Sequence, residues 1–199
     1  MVVRYTRLFL GLALIGVGAA AMVRADLGLG PWDVLHQGIA AHTGIPIGTV
    51  GILVGVVVLT MWVPLRQRPG IGTLINAITI GLVIDGTLAV LPDEIGSLAV
   101  RWVLMATGIV VIGVGAGLYL GAGLGPGPRD GLMTGLAARG LSIRAVRTAL
   151  EIAVLAAGGL LGGTVGVGTV LFAIAIGPLV QLSLERLSLA PATTPSSVT

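Results

Sequence analysis

Cysteine and lysine are both absent from this chain of 199 residues. Without cysteine the protein can form no disulfide, no thiolate metal site and no cysteine nucleophile. Charge is also scarce, because only 10% of the residues are charged, whereas a typical soluble domain has about 25%. Aromatic residues amount to 4%, and no basic cluster is interleaved with them, so the eleven arginines do not indicate a nucleic-acid partner.

Apolar sequence, in contrast, is abundant. Hydrophobic residues make up 55% of the chain, and its mean hydropathy is +1.07. The apolar runs at residues 8–23 and 100–120 approach or exceed the roughly 18 residues that cross a bilayer. These runs predict an all-α protein, a polytopic bundle of transmembrane helices whose main partner is the lipid bilayer.

An internal duplication organises the chain. Residues 15–40 and 112–137, at an offset of 97, are identical at fourteen of 26 positions, and both contain Gly-Pro-x-Asp. Residues 70–81 and 166–177, at an offset of 96, are identical at seven of 12 positions. Glycine and alanine match by chance in such a chain, but a proline and an aspartate at the same spacing do not. We therefore predict two copies of one structural unit.

The first apolar run also has the look of a signal peptide. Arg4 and Arg7 precede it, and three consecutive alanines at residues 19–21 offer a cleavage site. The same run recurs at the start of the second repeat, however. We therefore expect it to remain in the protein as the first helix.

Each repeat is predicted to contain one long helix, a glycine-rich loop, a short helix and two further long helices. The predicted helices cover residues 5–23, 31–42, 47–65 and 71–91 in the first repeat, and 100–120, 128–139, 143–161 and 169–187 in the second. One transmembrane domain thus occupies residues 1–187, with repeats at about 5–91 and 100–187. The polar segment 188–199 is expected to be a disordered tail.

The short helices set the topology. Twelve residues span about 18 Å, too little for a hydrocarbon core of about 30 Å, so each short helix is expected to be re-entrant or interfacial. Six spans with both termini cytoplasmic leave only Arg24 and Arg101 on the outer side, as the preference of arginine for cytoplasmic loops requires. Three spans per repeat is an odd number, so the second copy enters the membrane from the opposite side. The repeats are therefore predicted to be inverted.

The Gly-Pro-x-Asp elements are the first candidates for a solute site. Gly30 and Asp33 begin one short helix, and Gly127 and Asp130 begin the other. One interpretation is a helix cap, since a carboxylate near a helix start meets free N–H groups and the positive end of the dipole. The other is that the two helix starts face each other and bind a small polar solute between them.

His36 joins this candidate site because it lies three residues after Asp33 on the same helical face. It is expected either to relay protons with Asp33 or simply to form a hydrogen bond within a half-buried helix. Trp32 and Arg129 occupy equivalent positions in the two repeats. Trp32 is predicted to be an interfacial anchor, and Arg129 to pair with Asp130 or with lipid phosphate.

Glu151 lies within an apolar helix, about 12 Å from its start. A carboxylate at that depth is costly and should face protein or water. Arg147 precedes it by four residues, so the pair is expected to form a structural ion pair. The alternative is that Glu151 is a coupling or gating acid.

Three further polar residues lie within predicted spans. Asp85 is expected to pair with Arg101 near the outer surface, or with a solute, and its repeat equivalent is Gln181. Asn76 is most simply explained as an interhelical hydrogen-bonding residue. With Glu151, these residues complete the set of intramembrane polar candidates.

Several segments of the chain carry a resemblance to a known family. The segment DLGLGPWDVLHQG at residues 26–38, followed by TGI at 43–45 and GTV at 48–50, resembles the YczE family of bacterial membrane proteins. PLRQRPG at residues 64–70 with GTLIN at 72–76 extends the similarity, which reaches YitT-like proteins more distantly. The resemblance implies a multi-pass protein of the bacterial plasma membrane, and it transfers no site residues.

Taken together, these features predict a small-solute transporter or channel-like permease. The alternative is a non-transporting accessory or scaffold protein that assists a partner complex. We expect no enzymatic activity, cofactor or metal site, because the chain has no Ser/His/Asp set, no HExxH and no metal-ligand spacing. Glycines four residues apart, such as Gly113 and Gly117, allow close helix packing and a homo-oligomer.

Overall fold

A computed structural model describes residues 1–187, so the predicted disordered tail lies outside the described residues. The described part of the chain consists of eight α-helices and contains no strand. In chain order the helices are α1 (Val2–Ala25), α2 (Pro31–Thr43), α3 (Ile47–Trp62), α4 (Ile71–Leu88), α5 (Leu98–Gly121), α6 (Pro128–Ala137), α7 (Ile143–Leu160) and α8 (Val167–Leu187). The all-helical prediction is confirmed.

Local chemistry explains where these helices begin and end. The short helices α2 and α6 begin with Pro31 and Pro128 at a position where the missing N–H costs nothing. Helix α2 stops before Gly44, whose φ of 72° lies in the left-handed region that glycine adopts freely. Helix α3 ends at Trp62 rather than at the predicted residue 65, because residues 63–66 form a turn.

Helices α1 and α5 form the centre of the bundle and touch at two glycine contacts. A Cβ on Gly11 would lie 2.6 Å from the carbonyl oxygen of Gly115, and a Cβ on Gly18 would lie 2.7 Å from that of Gly108. Glycine permits this close approach of two helix backbones. Because the earlier residue of α1 meets the later residue of α5, the two helices run antiparallel. At the repeat offset of 97, each contact is the equivalent of the other.

The remaining helices pack around this pair in matching ways. Helix α4 packs on α1 and α8 packs on α5, while α2 packs on α7 and α6 packs on α3. The loops before the short helices are held identically. The Gly72 N–H donates to the Leu124 carbonyl at 2.9 Å, and the equivalent Gly168 N–H donates to the Leu27 carbonyl at 2.7 Å. Each short helix is therefore positioned by the other half of the chain.

Four helices are long and apolar enough to cross a membrane: α1, α4, α5 and α8. Helices α2 and α3 meet at a bend of 113° and count as a fifth span if they are taken as one broken span. Helix α3 alone has only 16 residues, and α7 carries three charged side chains, so neither qualifies by itself. Many large apolar side chains, including Phe9, Leu82 and Ile174, are exposed on the outside of the bundle. The protein is an integral, multi-pass membrane protein.

Candidate functional site

The two Gly-Pro-x-Asp helix starts lie against each other. The guanidinium carbon of Arg129 lies 4.9 Å from the centroid of the Trp32 ring, a distance typical of a cation–π contact. These are equivalent positions of the two repeats, so the predicted approach of the helix starts is what the structure shows. Trp32 is only 7% exposed, and its predicted role as an interfacial anchor is therefore wrong. Its indole packs within the protein, where Arg129 covers it.

The two equivalent aspartates have different partners. The Asp130 carboxylate accepts a hydrogen bond from the Gly127 N–H at 3.2 Å and so caps its own helix. The Asp33 carboxylate instead lies 3.4 Å from His36 Nδ1 and 4.0 Å from an Arg129 guanidinium nitrogen. The cap interpretation therefore fits Asp130, whereas Asp33 is part of a charged cluster that includes the other short helix.

Three side chains hold the start of α6 in place. The buried Trp62 Nε1–H donates to the Pro128 carbonyl at 2.9 Å. The Thr73 hydroxyl donates to the Pro126 carbonyl at 2.7 Å, and the Tyr119 hydroxyl donates to the Gly125 carbonyl at 3.1 Å. The bonds to Gly125 and Pro126 satisfy carbonyl groups of the irregular loop before α6, and the bond to Pro128 holds the first residue of the helix. The first turn of α6 thereby faces Trp32.

Between the two helix starts lies a cavity of about 530 Å³, which we call the central cavity. Seven of the eight described helices form most of its wall. The eighth, α7, contributes only Arg147. Its polar and charged lining residues are Asp33, His36, Asn76, Tyr119, Arg129, Asp130, Arg147, Gln181 and Glu185. The rest of the wall is apolar or glycine, so polar groups are concentrated around one space in an otherwise apolar bundle.

A second, smaller cavity of about 190 Å³ adjoins the same helix starts, and we call it the side cavity. Trp32, Asp33, Arg129 and Asp130 line both cavities. The two spaces therefore meet at the Trp32–Arg129 contact.

Two buried nitrogen atoms beside the central cavity have no hydrogen-bond partner among the described residues. They are Nε2 of His36, a residue that is 3% exposed, and Nε1 of Trp32. Leaving a buried polar atom unpaired costs about 1–3 kcal/mol, and such atoms in folded proteins usually meet water, an ion or a ligand. Both atoms belong to residues that line the central cavity.

Comparison with known proteins now identifies the family. A family of unknown function, DUF6198, matches residues 2–185. The chain belongs to this family. An uncharacterized protein of Haemophilus influenzae is 44% identical over 185 residues, covering 92% of this chain and 84% of that protein. The uncharacterized membrane protein YczE of Bacillus subtilis is 34% identical over 189 residues, with coverage of 94% and 87%.

A third relative has a lower sequence identity to this chain. The uncharacterized protein YyaS of Bacillus subtilis is 29% identical over 174 residues, covering 84% of this chain and 86% of its own. No solved structure matches the chain. The resemblance to the YczE family is thereby confirmed, and the relative's name as a membrane protein agrees with the exposed apolar helices.

The intramembrane polar candidates of this family member fall into two groups. Asn76 and Gln181 line the central cavity, and Glu151 lines the side cavity. Glu151 forms the predicted ion pair, with its Oε1 2.9 Å from Arg147 Nε. Asp85 belongs to neither cavity lining, and the structure places it elsewhere.

The predicted pairing of Asp85 with Arg101 is wrong. One Asp85 oxygen accepts the Gly48 N–H at 2.6 Å, and the other accepts the Thr49 N–H and hydroxyl, each at 2.8 Å. Asp85 therefore caps the start of α3, where free N–H groups and the helix dipole favour a carboxylate. Arg101 instead lies 3.1 Å from the Asp26 carboxylate.

Sequence reasoning missed several residues of the site. The residue equivalent to Trp62 in the second repeat is Gly158, so the two positions are not identical and the comparison of the repeats did not indicate a role for Trp62. Thr73 is identical to Thr169 in the second repeat, a signal that could have identified it. Glu185 lies near the end of α8, lines the central cavity and accepts a hydrogen bond from Gln181 at 3.1 Å.

Proposed function

We propose that this protein is a small-solute permease in which two inverted repeats enclose the central cavity. The observation that carries the proposal is that cavity itself, because it joins the Gly-Pro-x-Asp starts of both short helices. An accessory protein has no need to keep charged and unpaired polar groups around a space of about 530 Å³ inside apolar helices. A permease needs such a space at the point where its repeats meet.

Inverted repeats are supported by the way the halves are paired. Helices α1 and α5 are equivalent in sequence yet antiparallel, as expected for copies that enter the membrane from opposite sides. The two glycine contacts between them exchange under the repeat offset. The proposal therefore includes six spans, α3 and α7 among them, with α2 and α6 as re-entrant helices near the midplane.

The proposed orientation has both termini in the cytoplasm of a bacterial cell. The preference of arginine for cytoplasmic loops supports it. The two arginines on the outer side are each neutralised by a nearby carboxylate. Arg24 lies 2.8 Å from Asp93, and Arg101 lies 3.1 Å from Asp26.

The solute class follows from the lining. Two helix starts bring the positive ends of their dipoles to the cavity, and Asp33 and Arg129 bring charges of both signs. Trp32 adds part of its aromatic ring to the wall. These groups suit a small organic solute that carries hydrogen-bonding groups, and the apolar wall suits its carbon skeleton.

Uptake into liposomes tests the proposal. Purified protein is reconstituted, a library of small polar solutes is added outside, and the retained solutes are identified by mass spectrometry. We expect at least one solute to accumulate beyond protein-free liposomes. Asp33→Asn should lower that uptake by about tenfold or more, because a hydrogen bond to a charged group is lost.

Asp93→Asn is the matched control. It also removes one carboxylate from an arginine pair, but the Asp93 side chain is 93% exposed and lies outside both cavities. Its uptake should equal that of the unmodified chain. If no solute accumulates, or if both variants lose uptake equally, the permease proposal fails and the accessory role becomes the better prediction.

A further inference from the structure

One pair of equivalent glycines has opposite surroundings in the two halves. Gly81 in α4 and Gly177 in α8 are identical positions of the repeat. A Cβ on Gly81 would lie 2.3 Å from the carbonyl oxygen of Gly48 in α3, so the two backbones are in contact there. A Cβ on Gly177 would meet nothing within 4 Å. The equivalent glycine thus contacts the neighbouring helix in the first repeat and contacts no neighbour in the second.

The packing of the neighbouring helices shows the same difference. Helix α3 packs against α4, and near its start it reaches Gly81 and Asp85, close to the end of α4. Their counterparts α7 and α8 make at most a marginal contact with each other within residues 1–187. The side cavity lies in the gap between them, and its wall includes Glu151 of α7 and Ala173 of α8.

The closed pair is held by a specific set of hydrogen bonds. Asp85 of α4 accepts three bonds from Gly48 and Thr49 at the start of α3, at 2.6, 2.8 and 2.8 Å. Gln181, the equivalent of Asp85 in α8, has its side chain turned to Glu185 of its own helix. No bond of the Asp85 kind therefore connects α7 to Gln181 in this conformation.

We infer that the central cavity has two entrances, one between α3 and α4 and one between α7 and α8, and that Asp85 is the positioning residue that holds the first one shut while the second stands open. This inference rests on the proposed permease. In the proposed orientation the closed entrance faces outward and the open one faces the cytoplasm. Exchange of the two arrangements between the repeats would open the cavity to the other side.

Paired cysteines measure the two entrances directly, because the chain contains no cysteine of its own. A Cβ on Gly55 would lie 3.7 Å from the Cβ of Ala77 across the closed pair, close to the roughly 3.8 Å of a disulfide. The equivalent positions at the offset of 96 are Glu151 and Ala173 across the open pair. Gly55→Cys/Ala77→Cys and Glu151→Cys/Ala173→Cys are therefore matched probes.

Each double variant is purified in detergent and oxidised, and the free thiols that remain are counted by the gel shift that a maleimide-linked polymer causes. We expect the probe at positions 55 and 77 to oxidise about tenfold faster or more than the probe at positions 151 and 173. Asp85→Asn should slow the first reaction and speed up the second. A purely structural cap would lower thermal stability without increasing the second reaction.

Thr49→Val is the second variant, since it removes only the hydroxyl bond to Asp85 and decides the question if Asp85→Asn does not fold. It should shift both oxidation rates in the same directions by a smaller factor. Two outcomes would overturn the inference. One is that the two probes oxidise at equal rates in the unmodified background. The other is that neither Asp85→Asn nor Thr49→Val increases the oxidation rate at positions 151 and 173. These rates need no solute, so failure of the liposome uptake alone would leave the inferred entrances standing and remove only the permease.

Discussion

At the residue scale, one large side chain of α3 fills the space that a glycine of α6 leaves. A Cβ on Gly131 would lie 1.9 Å from Cζ2 of Trp62. Gly131→Ala must therefore displace the indole and weaken its hydrogen bond to the Pro128 carbonyl. We expect a loss of about 1–3 kcal/mol of stability, as for other overpacked sites, measured as a lower thermal unfolding midpoint in detergent.

The control for this substitution is Gly86→Ala in α4. A Cβ there would meet nothing within 4 Å, and alanine favours a helix interior over glycine by up to about 1 kcal/mol. Gly86→Ala should therefore unfold at the same temperature or a slightly higher one. Equal destabilisation by both alanines would show that Trp62 does not occupy the described position.

The ion pair of Glu151 and Arg147 gives a second residue-scale prediction. Their side chains are 34% and 56% exposed, and both line the side cavity. The pair is therefore exposed to the cavity rather than enclosed in apolar side chains, and exposed pairs contribute only about 0.2–1 kcal/mol. Glu151→Gln and Arg147→Gln should each lower thermal stability slightly. A loss of several kcal/mol for either variant, as expected for a buried pair, would contradict this reading of the cavity.

At the element scale, the corner between α2 and α3 depends on one residue. Gly44 has a φ of 72°, and a Cβ there would meet no neighbour within 4 Å. Gly44→Ala should therefore destabilise the protein through backbone strain alone, by about 1–2 kcal/mol.

Asparagine at the same position is the informative comparison, because asparagine tolerates the left-handed region better than alanine. Gly44→Asn should unfold at a higher temperature than Gly44→Ala in the same detergent. If alanine is tolerated as well as glycine, the corner does not have the described conformation, and the 113° bend between α2 and α3 loses its local cause.

At the scale of the whole molecule, the proposed topology can be tested by labelling. Single cysteines at Pro69, Ser142 and Ser97 leave every arginine in place. A maleimide that does not cross membranes should label Ser97→Cys in intact cells, and should label Pro69→Cys and Ser142→Cys only after the membrane is opened. External labelling at residue 69 or 142 would reverse the orientation that the arginines favour.

The sequence predicted most of the elements and part of the site. Proline and glycine mark the starts of α2 and α6, and the shared Gly-Pro-x-Asp indicated that these starts would be placed equivalently. Trp62 was not predicted because its repeat equivalent is glycine, and Asp85 was assigned the wrong partner. Its true partners in α3 lie 36 and 37 residues earlier, and a single sequence contains no signal for a contact of that kind.

Composition and pattern by themselves determined that this chain is helical, lies in a membrane and contains one unit twice. These properties follow from apolar runs, helix-breaking residues and identities at a constant offset, none of which requires knowledge of a contact in space. Only the tertiary structure decided that equivalent residues have different surroundings. Asp33 faces Arg129, whereas Asp130 caps its own helix. Gly81 contacts the backbone of α3, whereas Gly177 has no neighbour within 4 Å. The physical reason is that packing depends on both halves at once, so two copies of nearly the same sequence can settle into different arrangements around one shared cavity.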